Sequence, residues 1–288
     1  MSIYEVKLQP TLIKKTITID PSSSLFEARN LLSKFRITRL VVTDKKNMPV
    51  GIITEKDIAK SIYKLDSKHF SSLRVKDVMS KDLVVAGIYH LISDCAKLML
   101  RNEISSIIVV NPDKTLAGII TKSDILHTFL VYETSKTRIS SIMSTLVISV
   151  SPDDSLYEVE SMLFNNKISR LVVEHNKKPV GIISYRDLIP TSLSHPSHIL
   201  TDKEERKDVQ WEPWLNQLNA KSLTHSLTFT AKDVMTKNPL VISANEFVSL
   251  AVLMMLRHDI SGIPVTKNEK LVGIITKTDV VKLVAEKP

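Results

Sequence analysis

Apolar positions along the chain alternate between two spacings, and the alternation recurs four times. Residues three and four apart are apolar in Leu25, Ala28, Leu31 and Leu32; in Ile92, Cys95, Leu98 and Met99; in Leu156, Val159, Met162 and Leu163; and in Val248, Ala251, Met254 and Met255. That spacing predicts one amphipathic helix in each repeat. After each helix stands Ile37, Ile104, Ile168 or Ile260, followed by a hydroxyl residue, Thr38, Ser105, Ser169 or Ser261, and then a short β-branched run that predicts an interior strand. A second strand ends in Gly51-Ile-Ile-Thr-Glu-Lys-Asp57, Gly118-Ile-Ile-Thr-Lys-Ser-Asp124, Gly181-Ile-Ile-Ser-Tyr-Arg-Asp187 or Gly273-Ile-Ile-Thr-Lys-Thr-Asp279, with another helical stretch after the Asp. Each unit therefore reads strand, helix, strand, strand, helix.

Four of the six glycines fall at this one place, which makes the repeat specific. The first and third copies share Arg-Leu-Val-Val (Arg39, Arg170) and a proline two residues before the glycine (Pro49, Pro179), and the second and fourth differ at both. This suggests duplication of a two-repeat unit, giving modules of repeats one with two and three with four. A unit this small buries too little apolar surface to stand alone, so pairing is physically required. The expected boundaries are 12–66, 73–132, 137–190 and 231–285, with an inserted linker at 191–230. The fold class is α/β (α+β).

A chain of 288 residues with 43% hydrophobic and 24% charged residues has the balance of a soluble, folded protein of about two domains. No apolar run is long enough to span a bilayer and the first residues lack a signal-peptide core, so a cytoplasmic location is expected. Cys95 is the only cysteine; within its helical pattern it reads as a buried small hydrophobe. The net charge of +8 is concentrated early, residues 1–70 holding 13 Lys/Arg against 7 Asp/Glu. Lys14, Lys15, Lys45 and Lys46 could meet phosphate backbones or form a solvated face.

In the recurring ending, Thr54, Thr121, Ser184 and Thr276 close a strand and open a helix, with Asp57, Asp124, Asp187 and Asp279 three residues on. This is capping-box spacing, in which the hydroxyl accepts a backbone bond and the acid reaches back. A plain cap commonly prefers Glu or Gln; Asp in all four copies fits a carboxylate that also bonds the hydroxyls of a ribose, beside a helix start that favours anions.

The unit with its G-h-h-[ST]-x-x-D ending resembles the cystathionine-beta-synthase (CBS) domain, in the arrangement of stand-alone four-CBS proteins, including archaeal ones, and of the AMP-activated protein kinase gamma-subunit family. The resemblance covers nearly all the chain except about 190–230. It implies four repeats paired into two CBS-pair (Bateman) modules, with the Ser/Thr and Asp of each motif holding ribose. It further implies phosphate contacts at the positions of Thr38 and Arg39 and at the basic residue before the motif's Asp. Here those are Arg39 with Lys56 and Arg170 with Arg186, whereas repeats two and four offer Ser106, Gly262, Ser123 and Thr278. Phosphate recognition is thus expected at the odd repeats, and a surface salt bridge is the plainer use of Arg39 and Arg170.

Glycine-to-glycine spacings of 67, 63 and 92 residues place an insertion in the third connection, and it holds both tryptophans, Trp211 and Trp214. These either mark a protein-partner patch or staple the loop to the surface. His195 and His198 form no complete metal site. No Walker loop, G-x-G-x-x-G, nucleophile elbow or HExxH is present, so no enzymatic activity, catalytic residue or required cofactor is expected.

Two function classes follow. One is a sensor of adenine nucleotides (AMP, ADP, ATP) or S-adenosylmethionine-type ligands that signals to a protein partner or a homodimer. The other is a basic RNA- or ribosome-associated protein using the four-CBS body as a scaffold.

Overall fold

The computed structural model describes residues 3–8, 13, 16–64, 73–132, 136–192 and 229–286. The first repeat comprises β1 (Thr18–Ile19), α1 (Leu25–Lys34), β2 (Arg39–Thr43), β3 (Pro49–Thr54) and α2 (Glu55–Lys64). A one-turn helix α3 (Val75–Val78) leads into the second: β4 (Val85–Gly87), α4 (Ile92–Arg101), β5 (Ser106–Val110), β6 (Leu116–Thr121) and α5 (Lys122–Tyr132). The third has β7 (Ser149–Val150), α6 (Leu156–Asn165), β8 (Arg170–His175), β9 (Lys178–Ser184) and α7 (Tyr185–Ser192). The fourth follows α8 (Ala231–Val234) and β10 (Thr236–Lys237), with β11 (Ile242–Ser243), α9 (Val248–Arg257), β12 (Gly262–Lys267), β13 (Lys270–Thr276) and α10 (Lys277–Glu286).

Each repeat builds its own sheet, a parallel pair across the first helix and then an antiparallel hairpin, as β1-β2-β3, β4-β5-β6, β7-β8-β9 and β11-β12-β13. The strand, helix, strand, strand, helix unit predicted from the sequence is the unit observed. The odd repeats start their first helix on a serine whose hydroxyl accepts from the backbone, Ser24 from Glu27 and Ser155 from Glu158, whereas Leu91 and Phe247 at the same place in the even repeats make no such bond.

Neighbouring repeats pair in two ways. Their sheets meet: Val41 of repeat one packs with Ile108 and Ile119 of repeat two, and β9 of repeat three lies against β13 of repeat four. They also exchange the segments that precede them. Ser80, ahead of repeat two, bridges to Ile52 of repeat one, β10, ahead of repeat four, adds to β9 of repeat three, and Ser144, ahead of repeat three, bridges to Ile274 of repeat four. Lys7, ahead of repeat one, bridges to Leu91 of repeat two, so modules of one with two and three with four are held by reciprocal exchange.

The main cores run the other way. One cluster joins repeats one and three, including Leu40, Ile53, Ile58, Leu171, Ile183 and Leu188; the other joins two and four, including Met99, Ile120, Ile125, Met255, Ile275 and Val281. Helix α2 packs on α7, and α10 packs on α4 and α5. Pairing is required, as the size of a unit predicts, but the helix faces that most need covering are covered by the opposite module. Burial of apolar area drives association regardless of chain order, at about 25 cal/mol per Å². Cys95 is fully buried in α4, and burial pushes its thiol up to about 12, so it packs and does not react.

Candidate functional site

Three of the four glycines of the recurring ending, Gly51, Gly181 and Gly273, sit where another chain segment presses on the strand. A Cβ on Gly51 would strike the Met79 side chain, and one on Gly181 would strike Met235. On Gly273 it would lie 2.7 Å from Met143 Sδ and 3.0 Å from the Ser144 carbonyl. Met79, Met143 and Met235 come from the exchanged segments, so these three glycines are the floor on which those segments rest. Only Gly118 of the four has a positive φ, 159°, which is close to ordinary extended backbone.

Three residues beyond each glycine the strand turns into a helix, and the same bonds form each time. The Asp Oδ2 accepts from the backbone N–H of the Ser/Thr at 2.9 Å (Asp57), 2.8 Å (Asp124), 2.7 Å (Asp187) and 2.8 Å (Asp279). The hydroxyls of Thr54, Thr121, Ser184 and Thr276 donate to the same oxygen at 2.7, 2.6, 2.7 and 2.7 Å. The acid reaches back as a cap does, but the hydroxyl mainly donates and aims the carboxylate; a bond from the helix N–H to the hydroxyl is found at Thr54, from Asp57 at 3.3 Å. Asp124 and Asp279 are buried, with 3% and 4% exposure, while Asp57 and Asp187 are half-buried with burial raising their pKa against the hydrogen bonds that lower it.

The four turns converge through the paired cores, and the phosphate candidates divide unexpectedly. Arg39 stands opposite Thr54 in its sheet, yet its guanidinium donates to Thr38 Oγ1 at 2.9 Å and to Ser105 Oγ of repeat two at 2.9 Å. Arg170 stands opposite Ser184 and lies against Gly262 of repeat four, where a Cβ would collide with it. The odd-repeat arginines are therefore delivered towards repeats two and four, Arg39 to Ser105 and Arg170 into the room left by Gly262. Enclosure holds both guanidinium groups down to about 10, partly offset by Glu55 and Asp124 for Arg39 and by Asp279 for Arg170.

Arg186 donates to Glu55 across repeats one and three at 2.8 Å, with side-chain exposures of 49% and 14%. Burial pulls Arg186 down, but Glu55, Asp259 and Asp187 outweigh it and the net shift is upward; burial raises Glu55 against the pull of Arg186. Lys56 lies 5.8 Å from the Tyr185 ring centroid. These residues remain with the odd turns as an internally balanced set.

Sequence reasoning passed over the residue directly after each motif hydroxyl: Glu55, Lys122, Tyr185 and Lys277. Their backbone N–H groups, in three copies, donate to the carbonyls of Thr38, Ser105 and Ser261 at 3.1 Å, which seats them at the helix starts. Burial and the nearby Arg39 and Arg170 lower Lys122 to about 8, and burial lowers Lys277 as well. The signal was present as an alternation of Glu, Lys, Tyr, Lys within the motif. Of the proposed surface lysines, Lys45 and Lys46 lie in the β2–β3 turn, whereas Lys14, Lys15, Trp211, Trp214, His195 and His198 lie outside the described residues. Among the described residues no group of three or more His, Cys, Asp or Glu could hold a metal ion, and no helix is long and apolar enough to cross a membrane.

Two reciprocally exchanged pairs of strand-helix repeats, each repeat ending in a Ser/Thr-x-x-Asp turn, define a protein of two CBS pairs. The chain belongs to the CBS domain family, which it matches over 11–64, 75–130, 139–193 and 231–286. Among similar proteins, MJ1225 of Methanocaldococcus jannaschii is 23% identical over 94% of this chain and 96% of its own length. The crystal structure of MJ1225, a proposed archaeal homologue of the gamma subunit of AMP-activated protein kinase, superposes with a TM-score of 0.81 at 20% identity, covering 96% of this chain and 99% of that one. The uncharacterized protein MJ1404 from the same organism is 24% identical over 96% of this chain, which spans 61% of its length. Inosine-5'-monophosphate dehydrogenase of Bifidobacterium longum is 33% identical over 41% of this chain, a match spanning 21% of that enzyme.

Proposed function

We propose that this chain is a non-catalytic regulatory protein that binds adenine nucleotides or related adenosyl ligands between paired CBS repeats and passes that binding to a partner. The observation that carries the reading is the four-fold carboxylate held through Oδ2 by its own backbone and hydroxyl. A carboxylate oriented through one oxygen can offer the other to a vicinal diol, at Asp279 in exchange for the Lys282 ammonium 3.6 Å from its Oδ1, and hydrogen bonds to a charged group contribute about 1.5–3 kcal/mol each. Enclosed cations next to these turns suit the phosphate end of a nucleotide. Two cores shared between modules supply the route to a response, since a ligand that fits one arrangement of the modules better shifts the whole body towards it.

Thermal unfolding in the presence of AMP, ATP and S-adenosylmethionine tests this. A ligand at about 100 times its Kd adds roughly 2.7 kcal/mol to stability. The Asp57→Asn, Asp124→Asn, Asp187→Asn and Asp279→Asn variants, taken singly, identify the occupied turns by loss of that increment. Absence of any shift with all three ligands rejects the proposal.

A further inference from the structure

The outer face of α9 breaks a pattern that its three counterparts share. Aligned on Ala28, Cys95, Val159 and Ala251, the residue just before is Glu27, Asp94 and Glu158 in repeats one to three but Leu250 in repeat four. Two residues after the same reference stand Asn30, Lys97 and Ser161, and in repeat four Leu253. The acids lie in the first turns of α1, α4 and α6, where negative charge suits a helix start, and Glu158 also accepts from the Ser155 N–H. Helix α9 has no acid in its first turn. Local helix physics favours a polar residue at both places, and repeat four has leucine at both.

These leucines do not belong to the core. Helix α9 turns Val248, Ala251, Val252 and Met255 inward, all buried. At about 3.6 residues per turn, Leu250, Leu253 and Arg257 share the opposite face, and Glu246 stands one residue ahead of the N-cap Phe247. Leu250 is 38% and Leu253 51% exposed, and Glu246 and Arg257 are exposed with them. Neither charge has an ion pair among the described residues. The neighbouring Arg138 is engaged elsewhere, stacked on the Phe247 ring and donating to the Asn245 carbonyl.

The order of these four side chains is self-complementary. Two copies of α9 laid antiparallel about a two-fold axis between Ala251 and Val252 bring Leu250 of each onto Leu253 of the other. The same register sets Glu246 of each copy opposite Arg257 of the other, and no other register makes both matches together. A two-fold contact of this kind uses the same patch on both copies and closes on itself.

We propose that the outer face of α9 is a homodimer interface, at which two copies of this chain meet antiparallel through Leu250 and Leu253 with Glu246 paired to Arg257 at both ends. Burial of the leucines drives the contact, and the charges fix its direction. Two helices alone bury less than the roughly 1,200 Å² of a standard interface, so the dimer is a weak one. The proposal does not depend on the nucleoside reading of the Ser/Thr-x-x-Asp turns.

Sedimentation equilibrium of the full chain at concentrations up to about 10⁻⁴ M tests it. The wild type is expected to show a monomer–dimer equilibrium. Leu250→Glu/Leu253→Ser, which copies what repeat three carries at Glu158 and Ser161, should weaken dimerisation by about tenfold or more while the dilute monomer melts no earlier than wild type. Glu246→Arg and Arg257→Glu should each weaken dimerisation, and the two together should restore it, because the swap pairs opposite charges again across the axis. A wild type that stays monomeric throughout refutes the proposal, as does a dimer that survives the leucine substitutions. A lower melting temperature of the dilute leucine variant would show that these side chains are covered within the chain and also refutes it. A leucine-dependent dimer that the charge swap does not restore overturns the antiparallel register.

Discussion

Gly51→Ala should change the sign of its effect on stability according to what stands at residue 79. The backbone at Gly51 does not have positive φ, so alanine is conformationally acceptable there. With no obstacle it would stabilise by about 0.4–1 kcal/mol by restricting the unfolded chain. In the native structure, however, the new Cβ lies 2.9 Å from Met79 Cγ and 3.2 Å from its Cε, closer still to Sδ, and overpacking of that kind costs about 1–3 kcal/mol. The net expectation is destabilisation by roughly 0–2.5 kcal/mol against Met79, and stabilisation by about 0.5 kcal/mol in a Met79→Ala background.

The matching pair at Gly273 is the control. There the obstacles include the Ser144 carbonyl at 3.0 Å, which itself accepts from Ile274 N–H at 2.9 Å, so Met143→Ala relieves only part of the strain. Gly273→Ala should stay destabilising in both backgrounds. Urea unfolding of the two double-mutant cycles supplies the numbers. If Gly51→Ala has the same sign in the wild-type and Met79→Ala backgrounds, close approach of the exchanged segment is not why glycine stands there.

Four further outcomes are expected. Lys167 has φ 53° just past α6, so Lys167→Gly should stabilise by about 0.5–1 kcal/mol in thermal unfolding, and a loss of stability would contradict the left-handed geometry. Lys122 titrates near 8 in the folded chain against an ordinary 10.5, so the unfolded state binds more protons between those values and stability should rise with pH across that window; a flat difference between wild type and Lys122→Met from pH 8 to 10.5 would refute it. Gly262→Ala should push the Arg170 guanidinium aside and weaken phosphorylated ligands by about tenfold or more relative to adenosine, measured by titration, and an unchanged ratio would remove Arg170 from phosphate binding. A fragment of residues 1–132 leaves the apolar faces of α2, α4 and α5 uncovered and should sediment as a dimer; a stable monomer would show that the cross-module cores are dispensable.

Much of this protein is legible in one dimension. The helical spacing of Leu25, Ala28 and Leu32 and the run Leu40, Val41, Val42 set the local unit, because side-chain period and β-branching act within a few residues. The Gly-Ile-Ile-[Ser/Thr]-x-x-Asp ending marked the turn, because a cap and its strand are contiguous. Even the alternation of Arg39 and Arg170 with Ser106 and Gly262 was visible, although its meaning was not.

What tertiary structure decided is where those side chains go. Arginine is long enough to leave its own repeat, and only the packing of neighbouring sheets carries Arg39 to Ser105 and Arg170 to Gly262. Lys122 and Lys277 look like interchangeable positions of a helix start until α5 and α10 pack and cross them. The pairing of cores, one with three and two with four, was equally out of reach, since an amphipathic face specifies that it must be buried but not by which copy. Sequence by itself determined four capped turns in four small units. The association of apolar helix faces decided which turns meet, and so why Arg186 faces Glu55 at one crossing while Lys122 and Lys277 face Thr278 and Ser123 at the other.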